Sequence, residues 1–268
     1  VVTLTVHDPS TPPSSDIIMT DTSHTAWWNP NMKVAEFDLE GIIDLKPDLI
    51  LTMTDDTQIK TLTIVNFMVN SVDPAMAIVS GTAPAGMPVS VGISSNNGAR
   101  RHATADINNG HWSVDFSVTG TQWDEQTTVN IVGGMAGFAN VSDAEGDSTS
   151  TGWRAIYIKT NPNDYWARTF NWPLGALLTM TISEPYLNYS AQAIVGYSPN
   201  DDHKSSDSTF VEFDLPNTLR QLQAGDVITI TDGTTAKAYT VAPLQVTDID
   251  LQADTISGIA TPGIQGRV

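Results

Sequence analysis

Apolar and polar residues alternate along most of this chain with a period of two. Val2, Leu4 and Val6 interleave with threonine, and Leu178, Met180 and Ile182 do the same. The pattern returns in SVDFSV (Ser113–Val118), TVNIV (Thr128–Val132), PVSVGI (Pro88–Ile93) and AIYI (Ala155–Ile158). Successive side chains of a strand point to opposite faces, so this period predicts half-buried β-strands. Val and Thr, β-branched at χ1, suit a pleated surface. Between the strands fall Asp232-Gly233, Asn109-Gly110 and Asn97-Gly98, pairs that tolerate positive φ and predict hairpin turns. Only Thr218–Gln223 offers a short helical stretch. Strands of about 5–7 residues with a turn every 8–12 or so predict an all-β fold of antiparallel sandwiches.

The chain also repeats itself. EFDL occurs at Glu36–Leu39 and at Glu212–Leu215, an offset of 212 − 36 = 176. VTLTVHDP (Val2–Pro9) matches LTMTISEP (Leu178–Pro185), and Asp48–Ile64 matches Asp226–Val241. VNSVDP (Val69–Pro74) answers VTDIDL (Val246–Leu251), and VSGTAPAG at Val79 answers ISGIATPG at Ile256, where the offset is 256 − 79 = 177. Ordered self-similarity at one period marks a tandem repeat. Residues 1–92 thus correspond to 178–268, while 93–177 occur once. We expect one sandwich over 1–70, an incomplete copy at its N-terminal side. A second spans 71–154, and a third over 155–245 is the second copy of 1–70. Residues 246–268 form a strand-like tail resembling 69–91. Where the second copy has Asp232-Gly233, the first has Asp55-Asp56, so Asp56 must take a left-handed or altered turn.

VSGTAPAGMPVSVGI, followed by HATADINNGHWSVDFSV (His102–Val118), resembles the SGTA…AD-x-x-G-x-W-x-V pattern of bacterial Ig-like repeats. The resemblance covers Val79–Trp153 best, and part of it returns at Ile256–Gly263. Such repeats occur in very large secreted surface proteins, including adhesins and sheath- or filament-like proteins. The resemblance implies tandem Ig-like β-sandwiches with a mechanical or adhesive role at the cell surface.

Charge narrows the partners. The net charge is −18 with 12 Lys and Arg, a field that repels phosphate backbones and anionic lipid. Nucleic acid is therefore not an expected partner. Nor is membrane insertion expected, since no apolar run approaches the roughly 20 residues of a span. The one basic cluster, Arg100-Arg101-His102, reads as an exposed hairpin strand. Absence of cysteine removes disulfides and thiol chemistry, and the Thr-, Ser- and Asn-rich, Lys-poor composition leans towards an extracellular protein. The chain begins at Val1 without Met, as expected of a processed product or an excised fragment.

Catalytic motifs are lacking: no G-x-S-x-G, H-E-x-x-H, P-loop or G-x-G-x-x-G occurs, and the five histidines are scattered singly. A non-enzymatic role is expected. The charges shared by both copies are Glu36/Glu212, Asp38/Asp214, Asp48/Asp226, Asp55/Asp232, Lys60/Lys237 and Asp73/Asp250. They read as turn-forming and strand-end groups. In SDAEGDST (Ser142–Thr149), Asp143, Glu145, Asp147 and Thr149 either form a solvated acidic hairpin or supply oxygens to Ca²⁺. Trp27 and Trp28, and Trp166 and Trp172, are core or domain-junction residues, protein-contact residues, or platforms for sugar rings of a surface polysaccharide. N-glycosylation acceptors stand at Asn140 and Asn188.

The ends raise an assembly question. A first copy without the equivalent of Ala155–Gly175 should leave an edge or groove open, and open edges template strand addition. Val2, Leu4 and Val6 at one end, and Ile256, Ile259 and Ile264 at the other, are the candidate contacts. Copies of the chain joined this way, head to tail, would form a filament.

Overall fold

A computed structural model describes residues 1–94, 98–161, 165–184, 187–197 and 209–260. Almost all regular structure in them is antiparallel strand, apart from a single 3-10 turn at Pro13–Ser15. Two compact units emerge. The first comprises Val1–Ile131 and Met135–Trp153, the second Val132–Gly134 and Arg154–Val268.

The first unit opens with β1 (Val2–His7), β2 (Ile17–Asp21), β3 (His24–Ala26), β4 (Asn29–Val34), β5 (Ile50–Thr54) and β6 (Ile59–Thr63). Strands β2-β1-β5-β6 form one sheet, and β3-β4 a separate hairpin. Alternation buries Leu4 and Val6 against Leu49 and Ile64, with Ile17, Phe37, Leu39, Ile43, Leu51 and Leu62 packed around them.

Next come β7 (Met68–Asp73), β8 (Ile78–Thr82), β9 (Pro88–Ile93), β10 (Arg100–Thr104), β11 (His111–Asp115), β12 (Ala136–Ser142) and β13 (Ser148–Arg154). They make the sheets β11-β8-β7 and β10-β9-β12-β13. Their inward residues, among them Val79, Val89, Val91, Trp112, Ala139, Val141 and Trp153, are buried. Strand β7 begins at Met68, so it straddles the expected division at 70/71.

The second unit contains β14 (Tyr157–Asn161), β15 (Trp166–Phe170), β16 (Leu177–Glu184), β17 (Leu187–Ile194), β18 (Gly196–Tyr197), β19 (Thr209–Asp214), β20 (Val227–Thr231) and β21 (Ala236–Thr240). Two four-stranded sheets, β14-β15-β19-β18 and β17-β16-β20-β21, enclose a core of Trp172, Leu178, Met180, Ile182, Phe213, Ile228 and Ile230. The chain continues into a hairpin, β22 (Leu244–Asp250) and β23 (Thr255–Ala260).

The repeat is structural as well as sequential. Thr3, Leu4, Thr5 and Val6 face Thr54, Met53, Thr52 and Leu51 across β1 and β5. Thr179, Met180, Thr181 and Ile182 face Thr231, Ile230, Thr229 and Ile228 in the same register. Even irregularities recur. The β7–β8 ladder slips between Val69 and Ser71, and the β22–β23 ladder slips between Val246 and Asp248. The Asp55 Oδ1 accepts from the Thr57 N–H, the Thr57 hydroxyl and the Gln58 N–H. Asp232 Oδ1 does the same with Thr234 and Thr235. These donors stabilise the carboxylate, and the Thr57 hydroxyl above all brings Asp55 down to a pKa of about 2.

Three expectations fail. Thr128–Val132 is not a strand; Val129 N–H bonds the Phe116 carbonyl, and the segment runs as a single tie outside either sheet. Thr218–Gln223 is not helical, because its backbone turns between Pro216 and Asp226 through short bonds such as Leu219 N–H to the Pro216 carbonyl. The pairing of Asp48 with Asp226 is one residue out of step. The Ile64 N–H donates to the Leu49 carbonyl and the Val241 N–H to the Asp226 carbonyl, while Asp48 and Gly225 donate back to Ile64 and Val241, so Leu49 is the true counterpart of Asp226. Asp48 matches Gly225, and both have positive φ, 73° and 100°. The Asn97-Gly98 turn falls partly outside the described residues, as do His203, Lys204 and Ile264.

Asp56 has φ 71°, as its alignment with Gly233 (φ 92°) requires. A Cβ in this region costs roughly 1 kcal/mol. Asp56→Gly is expected to raise stability by about 0.5–1 kcal/mol in urea unfolding, and Gly233→Ala to lower it by about 1 kcal/mol. Equal midpoints for the wild type and both variants would show that the turn carries no strain.

Candidate functional site

A half-buried sheet must find cover for its apolar face, and the two copies differ in whether they have it. In the second copy Leu178, Met180, Ile182, Ile228 and Ile230 are all fully buried beneath the sheet that includes β15 and β19. In the first, Leu4 and Val6 are buried and Val2 and Leu51 half-buried, while Met53, the counterpart of Ile230, is 40% exposed. Each fully covered side chain of this size contributes about 1.5–3 kcal/mol. The tetrapeptide EFDL records the same difference. Glu212, Phe213 and Asp214 lie in β19, paired with Arg168, Ala167 and Trp166 of β15. Residues 36–39 form no strand, and among the described residues no strand forms a ladder with them. Phe213 and Leu215 are buried, but Phe37 and Leu39 only partly so.

This placement corrects the expected contact residues. Leu4 and Val6 belong to a central strand, bonded on one side to β2 and on the other to β5, so neither offers a free edge. The opening is a face, reached at Met53 and Val2. At the other end Ile256 and Ile259 are half or more exposed, with Leu244, Val246 and Ile249. Their counterparts in β7 and β8 have β11 as a further neighbour.

Beside the open face stands the acidic turn 143–147. Asp143 Oδ1 accepts the N–H groups of Glu145 and Asp147 at 2.8 and 3.0 Å, closing the turn. Glu145 and Asp147 meet the Lys60 ammonium at 2.8 and 3.1 Å, and the two carboxylates hold Lys60 above the usual lysine range. Lys60 stands opposite Met53 on the same face. Thr149 Oγ1 has no hydrogen-bond partner. The oxygens of Asp143, Glu145, Asp147 and Thr149 therefore do not converge as a Ca²⁺ shell: one carboxylate serves its own turn and two serve Lys60. Among the described residues no group of three or more His, Asp or Glu is arranged to hold a metal ion.

The tryptophans separate cleanly. Trp27 (87% exposed) and Trp28 form an edge-to-face pair at 5.4 Å on the β3–β4 turn. Trp166 is half-buried, with the Arg168 guanidinium 4.3 Å from its ring centre. Trp172 is no contact residue. It is 2% exposed, donates Nε1–H to Thr169 Oγ1 at 2.6 Å, and accepts the Thr209 hydroxyl on its carbonyl.

The basic cluster holds a site that composition hides. Strand β10 carries it, as expected, but Arg101 is 3% exposed rather than solvated. Its guanidinium donates to the carbonyls of Asp115, Val118 and Thr127, and so staples the 116–127 segment to the sheet. Glu125, also buried, accepts the N–H groups of His102 and Gln122 at 2.7 and 2.8 Å. Burial raises the Glu125 pKa, but these donors outweigh it and leave the group ionised. The loop so fixed walls a cleft of about 580 Å³ on the outer face of β10-β9-β12. His102, Ser90 and Asn140 form a row across its floor. Asp124 accepts from His102 at 3.1 Å, a bond that lowers its pKa. The sequence signal for this site was the Arg-Arg-His triplet with Trp123-Asp124-Glu125 downstream. Its period-two alternation places Arg101 inward, where a charge demands partners.

No family model matches the chain, and neither does any curated protein. Among solved structures, one titled "Biofilm associated protein - BSP domain" is similar at 15% identity and a TM-score of 0.25. The likeness covers 66% of this chain and 29% of that one, so this chain spans less than a third of its length. At that TM-score the likeness says nothing of function.

A buried charge pair supplies a test of the electrostatics. Arg220 holds Asp226 through two bonds, at 2.6 and 2.8 Å. Burial pushes the Asp226 pKa up, yet Arg220 and the Gln223 N–H prevail and the net shift is downward. A carboxyl lowered on folding stabilises above its unfolded pKa, about 3.9, and loses that contribution as pH falls through the folded value. Acid unfolding of the wild type should therefore steepen below about pH 4. In Asp226→Asn that step should shrink, with stability at pH 7 lower by about 2 kcal/mol as the charge-assisted bonds to Arg220 are lost.

Proposed function

We propose that the chain is a non-enzymatic structural segment of an extracellular tandem-repeat protein. Copies of it join head to tail by β-strand addition into a filament, sheath or stalk. One observation carries this reading: of the five apolar positions sealed in the second copy, Met53 stands exposed in the first and Val2 and Leu51 are only half-buried. The tail hairpin β22–β23 is exposed along its length as well. Strand addition uses sheet edges, here β2 and β6 of the first sheet and the exposed hairpin β22–β23, while the open face offers the added strand an apolar seat. The chain would be held by ladders of backbone hydrogen bonds, which suit a load-bearing role. The resemblance to bacterial Ig-like repeats agrees, and so does a cysteine-free, acidic composition. A second reading, attachment to surface polysaccharide, is favoured by the exposed Trp27–Trp28 pair.

Light scattering across a concentration series tests the assembly. Mass should grow with concentration, and Met53→Glu, which sets a charge on the open face, should hold the chain monomeric with an unchanged circular dichroism spectrum. Loss of growth in EDTA would make Ca²⁺ part of the joint. A wild-type chain that stays monomeric throughout refutes head-to-tail assembly.

A further inference from the structure

The cleft beside β10 has features that strand addition does not use. Its lining combines the polar Ser90, Arg100, His102, Gln122, Asn140 and Ser142 with the apolar Pro88, Val89 and Ala103. Two shielded oxygens nearby, Ser90 Oγ and Asp124 Oδ1, have no partner, and native proteins rarely leave such atoms unpaired. The wall is rigid, because Arg101 and Glu125 bind its backbone from both sides. Between Gln122 and Asp124 on that wall is Trp123, 89% exposed, the most exposed tryptophan of the chain. A large aromatic held in water next to a polar cleft has no role in the core.

We propose that this cleft binds a neutral saccharide, with His102, Gln122 and Asn140 bonding its hydroxyls and Trp123, next to Gln122 in the chain, stacked on a sugar face. The residues match that chemistry. A pyranose presents C–H groups on one face and hydroxyls around its rim, each hydroxyl both donor and acceptor. The Asn140 and Gln122 amides, both in the lining, each supply donors and an acceptor. The ligand is neutral because a net charge of −18 repels an acidic polysaccharide. A pre-formed wall also removes the ordering cost that weakens loop-built sites.

The site lies wholly in the second sandwich, so it stands or falls apart from head-to-tail assembly. The ¹⁵N-labelled full chain is titrated with methyl glycosides of glucose, galactose, mannose and N-acetylglucosamine, followed by NMR. At least one should move the amides of His102, Gln122 and Asn140 and the Trp123 indole, with a Kd in the ~mM range. Trp123→Ala and Asn140→Ala should each weaken that binding about tenfold, a loss of about 1.4 kcal/mol, while Ile107→Ala, at an exposed residue outside the cleft, leaves it unchanged. Trp123 is so exposed that its removal leaves the fold intact, which the unperturbed remainder of the spectrum verifies. The proposal is overturned if none of the four sugars moves these signals by ~50 mM, well above a mM Kd. Shifts confined to Trp27 and Trp28, or full affinity in both variants, overturn it equally.

Discussion

A β-sheet with one apolar face is only half of a stable object, and this chain depends on how that face is covered. In the second copy cover comes from a complete second sheet, and the five central side chains of the first sheet are dry. In the first copy cover comes from a loop. Phe37, Leu39 and Ile43 fold over one end, and the acidic turn reaches Lys60 at the other. One sequence pattern thus yields a strand or an irregular loop according to its neighbour. EFDL is extended and laddered beside β15 and unpaired without it, a plain case of tertiary context overriding local propensity.

The copies also diverge in how they close the same loop. Leu49 is a fully buried aliphatic in the first, and Asp226 stands at its place in the second. Six residues upstream, Ile43 packs against the first core and Arg220 binds Asp226. An apolar contact and an ion pair have the same shape requirement here and opposite electrostatics. Buried pairs of this kind gain little over apolar packing, although breaking one is costly. The acidic pair therefore reads as a tolerated alternative whose members must change together.

Strand positions, the repeat and the turn chemistry were legible because each rests on local rules: period two, offset, and the φ demanded of Asp56. What stayed hidden depends on partners distant in sequence. Thr128–Val132 alternates like a strand but finds no ladder. Trp172 looks like its surface namesakes until Thr169 and Thr209 close around it. Arg101 shares a triplet with two more accessible residues, and only its inward register reveals the staple it forms. The slip that confused Asp48 with Asp226 arose because matching the two Asp letters forces an offset of 226 − 48 = 178 where the strands that follow keep 177. Backbone hydrogen bonds resolve it.

The ladder slip shared by the two hairpins, at Val69/Ser71 and again 246 − 69 = 177 residues later at Val246/Asp248, has a genetic consequence. Unequal crossing-over between the two coding stretches joins strands whose registers already agree, bulge included. Such an event lengthens or shortens the protein by one whole period while every hairpin keeps its facing residues. Reach then becomes a quantity that recombination adjusts in fixed steps, with no need to re-select a single core.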